Sequence, residues 1–512
     1  MNRQTWAVII LVAWLGTIGW LLARELGQSK GLALADATRA VEPGAMYYTV
    51  SMGDVQIGFA SNTVDTVPDG LVVVDLMLLE VPALGTIQRT EVRTIARLTN
   101  ALRLQSFEAG MTSAAGRFAA HGTVSGDSIL TVELESADSR QTVRVRLHEP
   151  MVLPAYMPLH VAFGGDLKVG NTYSLRTFDP LLLRHSDVSV RVVDDSILFV
   201  PDSSAFDSTA MRWVAARWDT VPAWRIEQTV DGVSLDSWID GFGRVVSVSS
   251  PMGLRVERSA FELAFLNFRD RDRAESIASF GAVNIIRQTA IASHVTLDGD
   301  RAEFRVVLGD LDPRAFDLVG GRQSMSGDTL IVRRATAESL DADYRIPLGG
   351  RPDLNRYVAP EPSIQSSDPR IQAQARQIIG RRRDPERVAR LLSDWVYQEL
   401  DKRVTLTVPS AVEMLQTRQG DCNEHAILFV ALARAVGLPA RTAAGLAYIN
   451  GSFYYHAWSE VYLGEWVAVD PTFGQFPADA SHLRFTIGGL ARQIELIRVI
   501  GQLSLSVVGV GD

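Results

Sequence analysis

One cysteine occurs in the 512 residues, Cys422, within Arg418-Gln419-Gly420-Asp421-Cys422-Asn423-Glu424-His425. Asp421 is a good N-cap residue, and Ala426 to Ala435 is apolar almost all round, broken only by Arg434. Gly437 and Pro439 end that run, since glycine tolerates a left-handed cap and proline cannot extend a helix. The pattern predicts a buried helix with a thiol in its first turn. There, unpaired N–H groups and the helix dipole favour a thiolate and can hold an oxyanion. The expected chemistry is nucleophilic attack by sulfur, which needs a base and a group to orient that base.

Both are available downstream. Phe453 to Leu463 reads as a strand with His456, Trp458, Glu460 and Tyr462 on one face. Trp466 to Asp470 reads as the return strand, stopped by Pro471, with Gly464-Glu465 at the turn. The order Cys422, His456, Asp470 supplies nucleophile, base and orienting carboxylate. Register sets a condition. A plain two-residue loop would place Ser459 opposite Asp470 and turn His456 and Asp470 to opposite faces. A three-residue loop or a bulge would place Trp458 opposite Asp470, leaving His456 and Asp470 as diagonal neighbours. The triad requires the second arrangement.

Other elements are placed by local signals. Asp384-Pro385-Glu386 starts a helix with an N-cap, a proline at N1 and an early acid, and Val388, Leu391, Leu392, Trp395, Val396 and Leu400 form its apolar face. Ser410-Ala411-Val412-Glu413 fits a capping box opening a short helix to Thr417. His425 stands one helical turn from Cys422 and competes for the base role, but reads as a supporting residue. Glu424 and Glu460 read as structural hydrogen-bonding partners. Trp458 and Trp466 suit either an acyl-site wall or core packing. Gln416 and Gln419 are candidates to complete an oxyanion hole. Arg381-Arg382-Arg383 reads as solvated surface. The remaining histidines (His121, His148, His160, His185, His294, His482) are scattered and show no metal-ligand spacing, so no metal site is expected.

Gly420-Asp421-Cys422-Asn423-Glu424-His425, His456-Ala457-Trp458-Ser459-Glu460 and Trp466-Val467-Ala468-Val469-Asp470-Pro471-Thr472 together resemble the three ordered motifs of the transglutaminase-like superfamily. Leu432 to Arg441 resembles the helix end and following strand of the same family. The resemblance covers about residues 367–480. It implies a papain-like fold, with Cys422 as nucleophile, His456 as general base and acid, and Asp470 as the orienting carboxylate. It also implies a thioester intermediate, with water or an amine as acceptor. It brings no cofactor: calcium dependence belongs to the animal enzymes, and no calcium loop is found here.

The rest of the chain holds and addresses this site. Trp6 to Ala23 is uncharged and 18 residues long, nearly enough to span a bilayer as a helix. Ala33-Leu34-Ala35 resembles a signal-peptidase site but lies well beyond the apolar run. An uncleaved N-terminal anchor is therefore expected, in the cell inner membrane, single-pass, with the catalytic part outside the cytoplasm. Residues 25–44 form a spacer. From Met46, alternating segments such as Tyr48–Ser51, Leu71–Leu79, Ile87–Leu98, Ile129–Leu134 and Val188–Val200 predict an antiparallel sheet or half-barrel, with 150–158 as a proline-bearing loop. A second β segment runs from about Asn284 to Pro347.

The expected fold is multidomain: an anchor at 6–23, a large antiparallel all-β region at 45–270, a small β domain at 283–350, and an α+β transglutaminase-like domain at 367–512. A net charge of -9 gives no overall attraction to nucleic acid or anionic lipid, and one cysteine excludes an intramolecular disulfide. The expected partners are a peptide or protein substrate, the membrane, and an envelope component bound through the β regions. The alternative to an enzyme is a non-catalytic envelope protein that uses the transglutaminase-like fold as an interaction module.

Overall fold

The computed structural model of the chain describes residues 41–511, apart from 272–289, 298–300, 337–339, 404–407, 494–495, 497–502 and some loop positions of one or two residues. The expected membrane segment at 6–23 lies outside the described residues. No helix among those described is long and apolar enough to cross a membrane.

Residues 44–259 build one antiparallel sheet of 14 strands. From Gly44–Met52 the strands step outward in sequence order to Ser139–Arg146. From Thr172–Asp179 they step back in from the other edge to Leu254–Ser259, which pairs with Gly44–Met52 and closes the seam. Alternation sets the faces: Leu130, Val132 and Leu134 are buried while Ile129 and Glu133 are exposed. The sheet curls, because Val73, Phe107 and Leu130 of its first half share one core with Val190 and Ile226 of its second.

Into that core goes the segment expected as a loop. It forms helical turns at Pro154–Tyr156 and Met157–Phe163. Each turn carries proline among its first positions, where the missing N–H costs nothing. Tyr156, Met157, Leu159 and Val161 are buried there. The strand Gly116–Ser125 was also not expected, since its buried run Phe118-Ala119-Ala120 breaks the alternating pattern.

The C-terminal body packs four helices, Pro369–Ile379, Pro385–Glu399, Ala411–Thr417 and Cys422–Ala435, against a sheet. Asp368, Asp384, Ser410 and Asp421 cap them by accepting first-turn backbone N–H groups. The sheet runs Ile291–Ala292, Ser452–Tyr462, Ala440–Ile449, His482–Ile487, with Trp466–Val469 also on Ser452–Tyr462.

The boundary expected between a 283–350 domain and a 367–512 domain does not separate these elements. Ser504–Gly511 pairs with Glu303–Gly309, completing a four-stranded sheet with Thr329–Arg333 and Gln323–Ser326. A small sheet has one apolar face to cover. Phe304, Val306 and Leu330 meet Leu446, Phe453 and Leu483 of the C-terminal body in one core. The large sheet touches this body too: a Cβ on Gly116 would lie 1.1 Å from Glu413 Oε1.

Candidate active site

The turn that decides the register has three residues. Tyr462 pairs with Trp466 and Ser459 with Val469. Between them Leu463 N–H donates to the Glu465 carbonyl at 2.8 Å, and Gly464 takes φ 98°. Asp470, one place beyond Val469, therefore stands opposite Trp458. His456 becomes its diagonal neighbour, as the triad requires. His456 Nε2 lies 2.7 Å from Asp470 Oδ2, both groups buried.

Pro471 ends the strand and the chain folds back over the carboxylate. Asp470 Oδ1 accepts Thr472 N–H at 2.7 Å and Phe473 N–H at 3.0 Å. The Phe473 ring then stacks on the His456 imidazole, centroids 4.4 Å apart and planes within 5°. An ionised carboxylate only accepts, so His456 Nε2 carries the hydrogen and Nδ1 presents a lone pair. That nitrogen is the one available to a thiol.

Cys422 opens its helix. The capping box is complete: Glu424 N–H donates to the Asp421 side chain, and Asp421 N–H donates to Glu424 Oε2 at 3.0 Å; Asn423 N–H also donates to Asp421 Oδ1 at 2.8 Å. The Cys422 sulfur accepts the backbone N–H of Ala457, the residue after His456. Helix start and strand thus meet at the thiol. The expected preference for thiolate is reversed in this state. Burial pushes the Cys422 thiol well above its ordinary value, and the charges of Asp421 and Glu424 add to that, against the opposing hydrogen bond from Ala457.

The supporting residues take defined places. His425 Nδ1 lies 2.7 Å from the Asp421 carbonyl oxygen, so this nitrogen is held within its own helix. Glu460 is clamped by Arg441 at 2.6 Å and Arg484 at 2.8 Å, and the pair of guanidinium groups holds its carboxyl below the usual range despite burial. Trp458 is fully buried with Ala443, Ala468 and Ala478, edge-on to His482. Trp466 stacks under the Arg441 guanidinium at 3.9 Å. Gln416 is exposed, and Gln419 lies in a two-residue strand beside Asp401.

His482, which in sequence was one of the scattered histidines, belongs to the site. Its Nε2 lies 3.0 Å from Asp470 Oδ2 and its Nδ1 3.0 Å from Asp479 Oδ1. Burial alone would depress its pKa, but hydrogen bonds to two carboxylates outweigh burial and raise it. The same bonds, with those from His456, hold Asp470 well below the usual carboxylate range although burial acts the other way. The result is a buried chain, His456–Asp470–His482–Asp479.

The ligand atoms of His456, Asp470 and His482 fall within 4.8 Å of one another, a spacing a cation can also occupy. At 2.7 and 3.0 Å the contacts are of hydrogen-bond length, and we read them as shared protons. Gly445, paired with His456, makes the convergence possible. A Cβ there would lie 1.9 Å from the Leu483 carbonyl oxygen, at the bulge that brings His482–Ile487 in. Tyr455 was also missed. Its hydroxyl lies 3.3 Å from Asn423 Oδ1 and 3.1 Å from Gln493 Oε1, beside the helix start.

Comparison with known proteins agrees in part. No curated protein matches the chain. A crystal structure named as a candidate cysteine protease from Cytophaga hutchinsonii is similar at 17% identity and TM-score 0.27, covering 43% of this chain and 82% of that one. A β-barrel-like protein of a domain family of unknown function from Brucella abortus is similar at 12% identity and TM-score 0.32, covering 42% and 95%. Neither likeness is close enough to carry an argument. The sequence match is the informative one: residues 372–471 fit the Transglutaminase-like superfamily, and the C-terminal part of this chain is a transglutaminase-like domain.

Proposed function

We propose that the protein is a thiol hydrolase or acyltransferase, anchored in the inner membrane by its N-terminal segment, that acts on peptide or protein amide bonds outside the cytoplasm. The observation that carries this reading is the three-residue turn at 463–465. It puts the His456 imidazole on Asp470 while the neighbouring Ala457 N–H meets the Cys422 sulfur.

In this reading Cys422 rests as a thiol. His456 Nδ1 takes its proton as sulfur attacks the amide carbonyl, and Asp470 stabilises the imidazolium. The developing oxyanion is held by the Cys422 backbone N–H at the helix start, since the Asn423 and Glu424 N–H groups are taken by the Asp421 cap. The intermediate collapses with loss of the amine, which leaves with the proton from His456, and Cys422 carries a thioester. Water or a second amine gives its proton to His456, attacks the thioester and releases Cys422, again as a thiol. Hydrolysis and transfer differ only in that acceptor. A role as a non-catalytic module would give no use to a base poised on a buried carboxylate with the following residue's N–H on the thiol.

The test is incubation of the protein with a peptide and peptidoglycan-fragment library and a labelled amine, comparing wild type with Cys422→Ala. New carboxyl ends mean hydrolysis, and label incorporation means transfer. Equal product from both proteins would refute the proposal.

A further inference from the structure

Strands Arg184–Asp207 and Arg212–Val230 pair along their length, but their other partners stop short. Thr172–Asp179 reaches only Arg191, and Val233–Asp240 reaches only Ala223. The intervening ribbon has two different faces. On one, Leu198, Val200 and Val221 pack with Ala223, Val246 and Trp238. On the other, Ile197 opposite Pro222, Phe199 opposite Thr220 and Trp218 opposite Pro201 form a continuous apolar stripe. Ile197 is 60% exposed, Phe199 70% and Trp218 56%, and Met211 at the tip is 73% exposed. Scattered apolar residues need no explanation, but a contiguous apolar stripe on a projecting ribbon marks a contact surface.

Two features select its occupant. The ribbon crosses beside the start of the described chain: Val200, Pro201 and Asp219 line a cleft of about 410 Å³ with Ala45, Met46 and Tyr47. That start lies one spacer of about twenty residues from the uncharged Trp6–Ala23 segment. Random coils of about twenty residues span about 25 Å on average. Whatever holds Trp6–Ala23 thus stays close to the stripe, at an effective concentration that makes even weak affinity sufficient. The stripe itself has the chemistry of an interfacial anchor, with tryptophan, phenylalanine and isoleucine on a polar support. Its arginines are matched by acids and outnumbered by them: Arg217 pairs with Asp202, Arg225 lies 3.9 Å from Asp194 and 3.8 Å from Asp236, and Asp195, Asp207 and Asp219 add further negative charge. No basic patch calls for anionic lipid.

We propose that the Ile197–Phe199–Trp218 face of this ribbon rests in the headgroup layer of the membrane crossed by Trp6–Ala23, so that the large sheet lies against the lipid surface. The proposal rests on the reading of Trp6–Ala23 as an anchor. Docking should occur on zwitterionic lipid and change little with salt, unlike the binding of a basic surface.

The full chain carrying Cys422→Ala has no thiol, which permits single-site labelling. Phe199→Cys, Trp218→Cys, Met211→Cys, Trp14→Cys and Val319→Cys are each labelled with an environment-sensitive fluorophore in phosphatidylcholine nanodiscs. Quenching by doxyl-labelled lipid is then read. Val319 is 66% exposed in the catalytic body and serves as the solvent reference. The expected result is strong quenching at 14, intermediate quenching at 199 and 218, and none above background at 319. Met211, at the tip, gives an independent reading should either stripe variant fail to fold. Quenching at 14 with 199, 218 and 211 no different from 319 would overturn the docking and leave the anchor standing, as would burial of the stripe by a protein partner. No quenching at 14 would overturn the anchor reading and the docking with it.

Discussion

Asp470→Asn is the substitution whose outcome the site geometry defines most sharply. Asp470 Oδ1 is fixed as an acceptor by Thr472 and Phe473 N–H groups at 2.7 and 3.0 Å. An asparagine must keep its carbonyl oxygen there, which turns its NH₂ toward the two Nε2 atoms now at 2.7 and 3.0 Å. A donor facing His456 Nε2 forces that nitrogen to accept, so the hydrogen moves to Nδ1. The nitrogen needed for the Cys422 proton is then occupied. In the serine-protease triad the same exchange of tautomer costs about 10⁴ in kcat, or about 5.5 kcal/mol of transition-state stabilisation. We expect a fall of that order in turnover of any substrate found with the library above, with KM little changed.

The variant also loses two hydrogen bonds to a buried charge, each worth about 1.5–3 kcal/mol. Its melting temperature should drop, and turnover must be measured well below it. The depressed carboxyl also sets an acid limit. Its contribution to stability is present above the unfolded value near ~3.9 and disappears as pH falls below it. Asp470→Asn should therefore flatten the acid limb of the stability profile. A folded Asp470→Asn protein turning over within threefold of wild type would refute the tautomer argument.

Three further outcomes follow from the buried charges. His482→Gln removes a histidine whose pKa is raised by two carboxylates, so the stability it supplies is present below about 6.5 and lost as pH rises through the raised value; thermal melts should show a large deficit at pH 6 that narrows by pH 9, and a deficit independent of pH would contradict the Asp470–His482–Asp479 chain. Glu413, buried against the large sheet, is pushed up to about 7, first by desolvation and then by Glu424. The cost of its raised pKa builds as pH rises from about 4.5 to about 7 and is full above that, so Glu413→Gln should stabilise by up to about 3 kcal/mol at pH 8 and by little near pH 4.5, as read from urea midpoints. Glu460→Gln strands the buried Arg441 and Arg484 guanidinium groups and should cost about 3–5 kcal/mol in the same measurement; an unchanged midpoint would mean the cluster is compensated elsewhere.

What could be read from the chain depended on how local the cause was. The Cys422 helix was legible because Asp421, Glu424, Gly437 and Pro439 act within a turn or two of where they stand. The hairpin could be framed as a condition, since alternation makes a one-residue change of loop length decisive, and the three-residue turn meets that condition. His482 was not legible. Its approach to Asp470 depends on sheet order, with Ser452–Tyr462 and Ala440–Ile449 lying between the two strands, and on a bulge opposite Gly445. The sign of the thiol shift was missed because burial is a property of the assembled body. Pro154 and Pro158 looked like loop signals because proline opens a helix and breaks one with the same residue. The C-terminal strand carries alternation but nothing that names its partner near Glu303.

The central claim is that Cys422 carries the acyl group. It is tested most directly by acid-quenching the protein during turnover and measuring its intact mass. The expected result is an added mass equal to the acyl portion of the substrate, released by hydroxylamine, mapped to Cys422 and absent from Cys422→Ala. Turnover that continues in Cys422→Ala, or that proceeds in wild type with no hydroxylamine-labile adduct even when deacylation is slowed, would contradict it.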